Sequence, residues 1–447
     1  MAAVRDFYNK IKEYIMRQTP DDPRRRRQQA NASGRRKASS SPHSQNSRSR
    51  ADRQAARTRI YRKSARYRAV RRQKMILTGI AGILLLLILL LVFRSCSGCG
   101  SPSATSAKVP DSDGTSVLSP EDAESYVTPE PTDPPMEPVT LTVSVVGDCT
   151  LGTDEYFDYD TSLNAYFNSY GEEYFMQNVR PIFSADDLTI ANFEGVLTTS
   201  DSREEKQFAF KAPPEFAGIL SSSSVEAVTT ANNHSHDYGE SSYTDTLQAL
   251  KAKGIVTFGY DETAVMDVKG IKVGLVGIYE LNDHLERTEQ LKANIARVKA
   301  EGAQLVIVIF HWGNEKEQVP DSNQMTLGRL AIDEGADLVC GHHPHVLQGI
   351  ETYKGKNIVY SLGNFCFGGN SSPSDMDSMI FQQTFTIDEN GVKADNITNI
   401  IPCSISSEYG YNNYQPTPAE GSEAERILSK IQERSSWIPS AETSSAS

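Results

Sequence analysis

Cysteine is scarce. Six in 447 residues cannot staple a chain of this size, so a disulfide framework is excluded. Cys96 and Cys99 share a CSGC run and stay open to acylation, pairing or the free state. No Leu-x-x-Cys lipobox accompanies them, which argues against lipoprotein processing. Cys149, Cys340, Cys366 and Cys403 lie in or beside apolar runs and read as small buried hydrophobes, with a bridge as the alternative. There is no internal repeat, and a long hydrophobic run occurs once, at residues 75–93.

Charge is also missing in a patterned way. Residues 75–93 carry none, and at 1.5 Å per residue their 19 positions span about 28 Å, close to the bilayer's apolar thickness. The expectation is one transmembrane helix. A cleaved signal peptide is disfavoured because 74 residues precede the run and no small-residue cleavage site follows. Residues 1–74 hold 23 Lys+Arg against 5 Asp+Glu, a balance of +18, and the remaining 373 carry −30. The positive-inside rule then predicts a cytoplasmic N-terminus and a C-terminal domain outside the cell membrane.

The basic segment 1–74 has too few apolar residues for a core and reads as a disordered cytoplasmic tail. It suits anionic headgroups or a simple topology determinant; nucleic acid is not expected as its partner. Residues 94–138, rich in Ser, Pro, Asp and Glu, read as an extended linker. From 139 to 405 short apolar runs alternate with amphipathic stretches. Strands are expected near 139–146, 188–192, 225–230, 255–258, 271–278, 305–310, 338–340 and 357–362. Helices are expected near 165–180, 241–253, 289–299 and 323–334, a hairpin around 389–391, and a last helix at 424–434 within a C-terminal segment, 406–447, that ends in a Ser-rich tail. Such alternation predicts an α/β domain.

Polar residues gather where the strands end, the ligand-facing positions of an α/β sheet. The first strand runs into Gly147-Asp148, the second into Asn192-Phe193-Glu194, and the third into Asn232-Asn233-His234-Ser235-His236-Asp237. Later strands end in His311, in Gly341-His342-His343-Pro344-His345 and in Gly363-Asn364-Phe365. Six of the eight histidines fall in three of these ends. Imidazoles beside carboxylates are the donor set of a borderline divalent cation such as Zn, Mn or Fe.

In this order the blocks GD, NFEG, ANNHSHDYG, HWGNE, GHHPHVLQ and SLGNF resemble the CapA capsule-synthesis family over about half of the chain, residues 140–367. That family is similar to calcineurin-like metallophosphatases. The resemblance implies a metallophosphatase-like four-layer sandwich, two mixed β-sheets flanked by helices, here preceded by the transmembrane helix. It further implies one or two divalent metal ions held by Asp148, Glu194 as bridging carboxylate, Asn233, His311, His343 and His345. His234 takes the position of the residue that serves the leaving oxygen, with Asp237 orienting it. His342, Asn192 and Asn364 are expected on the substrate side, and His236 on the surface. Two departures stand out: Thr150 occupies the place of a usual histidine ligand, and Asn192-Phe193-Glu194 replaces the usual Gly-Asp. Both imply a weaker or single-metal site.

The expected function is a membrane-anchored, metal-dependent hydrolase-type role in poly-γ-glutamate capsule biosynthesis or export. Its expected partners are the membrane, an anionic polymer such as poly-γ-glutamate, and synthase or export subunits. The alternative is a non-catalytic scaffold that the metal merely stabilises.

Overall fold

A computed structural model describes residues 137–440, which fall within one compact unit, Ser125–Ser447. In chain order the elements are β1 (Val139–Thr150), helix α1 (Leu163–Tyr170), α2 (Arg180–Phe183), β2 (Leu188–Glu194), β3 (Val196–Leu197), β4 (Lys211–Ala212) and α3 (Gly218–Ser221). There follow β5 (Ala227–Thr229), α4 (Glu240–Ala252), β6 (Val256–Phe258), β7 (Ala264–Val268), β8 (Ile271–Tyr279), α5 (Thr288–Ala300), β9 (Leu305–His311), α6 (Ser322–Asp333) and β10 (Leu338–His342). The chain closes with β11 (Ile350–Tyr353), β12 (Lys356–Val359), β13 (Asn364–Phe367), β14 (Asp377–Asp388), β15 (Gly391–Val392), β16 (Ile397–Ser404), β17 (Thr417–Pro418) and α7 (Gly421–Ser436).

Two mixed sheets and a small parallel pair, β3-β4, result. One mixed sheet has nine strands, along the path β17-β16-β14-β1-β2-β5-β6, with β13 paired to β1 and β15 to β14. The other has six, in the order β11-β12-β10-β9-β8-β7. In each, the central strands run parallel, and antiparallel neighbours complete the sheet. Strand β9 shows why the apolar runs are continuous rather than alternating with polar residues. Leu305, Ile307 and Ile309 enter the cluster between the sheets, while Val306, Val308 and Phe310 enter the cluster under α5 and α6. A strand buried on both faces needs apolar residues at every position. The outer face of the first sheet is covered likewise: Ala191, Phe193 and Val228 pack with Phe175, Phe216, Ile219 and Leu250.

The expected fold class needs correction in its membrane part. No helix among the described residues is long and apolar enough to cross a membrane. Residues 75–93, on which that expectation rested, lie outside the described residues, as do Cys96 and Cys99. What the described part holds is two mixed sheets with helices.

Two further expectations differ in detail. The helix predicted over 165–180 stops at Tyr170, because Gly171 adopts φ +77°, a left-handed stop. Phe175, Met176 and Val179 then fill the outer core from irregular turns. The strand predicted at 357–362 ends at Val359, and a separate strand follows it. The chain leaves the second sheet after Val359, crosses through Gly363 (φ +72°), and joins the first sheet as β13. The Gly363 carbonyl accepts from the Asp148 N–H (2.9 Å), which ties that crossover to the end of β1.

Candidate metal centre

The parallel strands β1, β2, β5, β9 and β10 all carry a polar residue at or just beyond their C-terminal ends, and the two sheets bring those ends together. Asp148 is fully buried. Its Oδ1 accepts from Asn192 Nδ2 (2.8 Å) and lies 3.2 Å from His342 Nδ1, while Oδ2 lies 3.2 Å from His345 Nδ1. Gly147 is required beside it, since a Cβ there would sit 2.2 Å from the Gly363 carbonyl oxygen.

Glu194 is buried too. Its Oε2 accepts from Thr150 Oγ1 (2.9 Å). Its Oε1 has no hydrogen-bond partner; two imidazole nitrogens stand off from it, His234 Nε2 at 3.8 Å and His345 Nε2 at 3.9 Å. Asp148, Glu194 and His345 each offer a ligand atom within 4.8 Å of the others, a group that could hold a metal ion. A buried carboxylate oxygen left without a donor, with imidazole nitrogens just beyond hydrogen-bond reach, fits a cation better than it fits an apolar core.

Next to this triad, His311 Nε2 lies 2.9 Å from Asn233 Oδ1, and the His311 and His343 rings are 4.9 Å apart. His343 Nδ1 is buried without a partner. His343 and His345 take φ +94° and +55°, left-handed values that non-glycine residues rarely adopt. Pro344 stands between them, and the turn aims both rings inward.

The electrostatics follow from burial and proximity. Burial opposes ionisation of Asp148, but the adjacent His342 and His345 imidazoles outweigh it and hold the carboxyl well below its usual range. Burial and the nearby Asp148 charge push Glu194 up against the pull of His345. Burial works against a charge on His345, yet Glu194 and Asp148 lift it to about 10. A divalent cation would replace the His345 proton as the positive charge facing the two carboxylates, because only the neutral imidazole is a ligand. Burial, aided by neighbouring imidazoles, pushes His311 well below its usual value and His343 down to about 3. Both remain neutral donors, the form a metal requires.

His234 has its own support. Its Nδ1 lies 2.8 Å from Asp237 Oδ2, and its Nε2 faces Glu194. Asp237 is fully buried, and also accepts from the Phe210 N–H (2.5 Å) and from Lys206 Nζ (2.6 Å). Lys206 further donates to the Asn233 carbonyl (2.7 Å). Nothing in the stretch SREEKQ marks Lys206 for this position; only the loop between β3 and β4 delivers it. Asn232 stands in the strand-end block with Asn233, but no role of its own is expected for it from the sequence. Its amide donates to Asn192 Oδ1 (3.0 Å) and the Phe193 carbonyl (2.7 Å), locking two strand ends together.

The remaining expected site residues separate clearly. Asn364 lines the cleft over the triad, with Oδ1 2.9 Å from His345 Nδ1. Asn192 and His342 are wholly buried beside Asp148, Asn192 donating to it and His342 standing close with neither ring nitrogen hydrogen-bonded, and neither lines the cleft. His236 is a partly exposed side chain beside Glu240 (3.2 Å). The four described cysteines are buried and free.

The sequence matches the family described as bacterial capsule synthesis protein PGA_cap over residues 142–369, half of the chain. The chain belongs to this family. Every donor named above lies inside the PGA_cap segment. Among curated relatives, the capsule biosynthesis protein CapA of Bacillus anthracis is 28% identical over 59% of this chain and 67% of its own length. The PGA biosynthesis protein CapA of Bacillus subtilis is 30% identical over 51% of this chain and 63% of its own. A probable polyglutamine synthesis accessory protein of Mycobacterium tuberculosis is 24% identical over 40% of this chain and 56% of its own. The chain therefore spans between just over half and two thirds of the length of these relatives.

Proposed function

We propose that this PGA_cap protein works in the biosynthesis of a poly-glutamate capsule through a divalent-metal, hydrolase-type site. The names of the Bacillus relatives support the process. The observation that carries the chemistry is the unpartnered, buried Glu194 Oε1 within the Asp148–Glu194–His345 triad. Asp148, Glu194 and His345 would hold one cation, and Asn233, His311 and His343 supply donors for another beside it. Carboxylates with imidazoles suit Zn, Mn or Fe.

A bound divalent cation would supply Lewis acidity and offset the charge of an anionic substrate group. The chain's own residues do the rest. Thr150 holds Glu194 by its hydroxyl, and Asn192 and Asn232 fix the strand ends. Asp237 keeps the His234 ring oriented, which leaves Nε2 facing the site to pass a proton to a departing oxygen. The partners we propose are the anionic polymer itself and the synthase or export subunits that handle it at the cell surface.

Metal content decides the reading. Glu194→Gln and His345→Ala should each lower the metal bound per purified chain, whereas His236→Ala should retain the parent's content. Elemental analysis of the three variants checks this; equal content in all of them would remove the triad as a metal site.

A further inference from the structure

A cleft of about 570 Å³ opens over His234, His345 and Asn364, and beyond the metal centre its lining offers few cationic side chains. Three carboxylates, Asp158, Glu315 and Asp375, line it against one ammonium, Lys316. Lys430 pairs with Asp375 at 3.2 Å, which takes one of the three out of play. That leaves Asp158 and Glu315 against Lys316 and the His345 ring, so the lining side chains hold no surplus of positive charge to bind a run of glutamates. Aromatic rings form its other wall. Phe208 and Tyr156 both line it and are 42% and 74% exposed. The Phe208 and Phe210 rings lie 6° from parallel with centroids 6.3 Å apart, and Phe210 lies 4.6 Å from the His234 ring. The rings thus step from the rim down to the metal centre. Arg203 stacks on one face of Tyr156, 4.7 Å from its centroid.

Exposed rings beside hydrogen-bond acceptors, with little positive charge, match the recognition of an uncharged sugar. The C–H faces of a pyranose pack on aromatic rings, and its hydroxyls donate to carboxylates and amides. Asn370 and Ser374 add neutral hydrogen-bonding groups to the same wall. We propose that this cleft is an oligosaccharide subsite. An anionic group attached to the sugar would lie toward the metal centre, and the neutral sugar would stack on Phe208 and Tyr156. The inference rests on the metal-site reading only for that direction; the stacking itself needs no metal.

The test uses full-length protein, chelator-stripped and metal-loaded, titrated by calorimetry with a neutral N-acetylglucosamine tetramer, a glucose tetramer and a γ-linked glutamate oligomer. Saturable binding of at least one neutral tetramer is expected in both protein forms. Phe208→Ala and Tyr156→Ala should each weaken it about tenfold, the size of a lost aromatic contact, and Phe208→Trp should restore it. Three results would overturn the proposal: no saccharide binding in either form, saccharide binding that both alanine variants leave unchanged, or a glutamate oligomer held by these same rings. Sugar binding by a protein that never takes up metal would sink only the metal reading.

Discussion

His234 is the residue whose replacement separates chemistry from assembly. It faces Glu194 without touching it, at 3.8 Å, and its other nitrogen is engaged by Asp237 at 2.8 Å. None of the Asp148–Glu194–His345 donors is lost with it. His234→Ala should therefore retain metal and fold, while turnover in a complementation or substrate assay falls about 10²–10⁴-fold, the usual loss of a general acid. Full capsule output from this variant would leave the metal as a structural support for a synthase scaffold. Thr150 is the feature that gives that rival weight, because a hydroxyl there steadies Glu194 where a further imidazole would bind the cation.

Among the elements, the approach to β2 carries a pH-dependent contact. Asp186 precedes the strand and accepts from Thr189 Oγ1 (2.8 Å) and from the Ser144 hydroxyl of β1. Burial pushes its carboxyl up to about 6 against those two donors. That value exceeds the ordinary one near 4, so the group contributes stability at low pH and loses it as pH rises through about 6. Asp186→Asn should gain about 1 kcal/mol over the parent at pH 8, after discounting for solvent at a half-buried site, and almost nothing at pH 4. Urea midpoints at the two pH values measure this, and an equal shift at both would contradict it. Helix α7 acts at the same scale. It sets Ile427 and Ile431 into the layer between the sheets, and its Arg434 donates to the Leu347 carbonyl, two residues beyond His345. The last described helix therefore props the loop that carries the His343–His345 turn.

For the whole molecule, the apolar clusters share strands: β9 contributes to two of them, and β1 to both faces of its sheet. No cut through Ser125–Ser447 leaves either sheet with its faces covered. A fragment of Ser125–Ser447 should accordingly unfold in urea as one transition, with fluorescence and circular dichroism coincident, and should carry the metal content of the full chain. Two separated transitions would show that the sheets are independent units.

Much of this was legible in the residue order, for a local reason. Strand β9 is apolar at every position and ends in His311, so burial on both faces and a polar tip were readable without coordinates. The strand-end blocks at Asp148, Glu194, Asn233 and His343–His345 carried the family resemblance the same way. Other features depended on distance in space rather than in sequence. Lys206 meets Asp237 across 31 positions, and Asp148 meets His345 across nearly two hundred, so no local pattern could pair them. The stop at Gly171, the crossover at Gly363 and the left-handed turn at His343 and His345 are backbone choices that packing selects among several a sequence allows. Residue chemistry determined which donors this protein owns; the meeting of two sheets decided which of them share a cation-sized space.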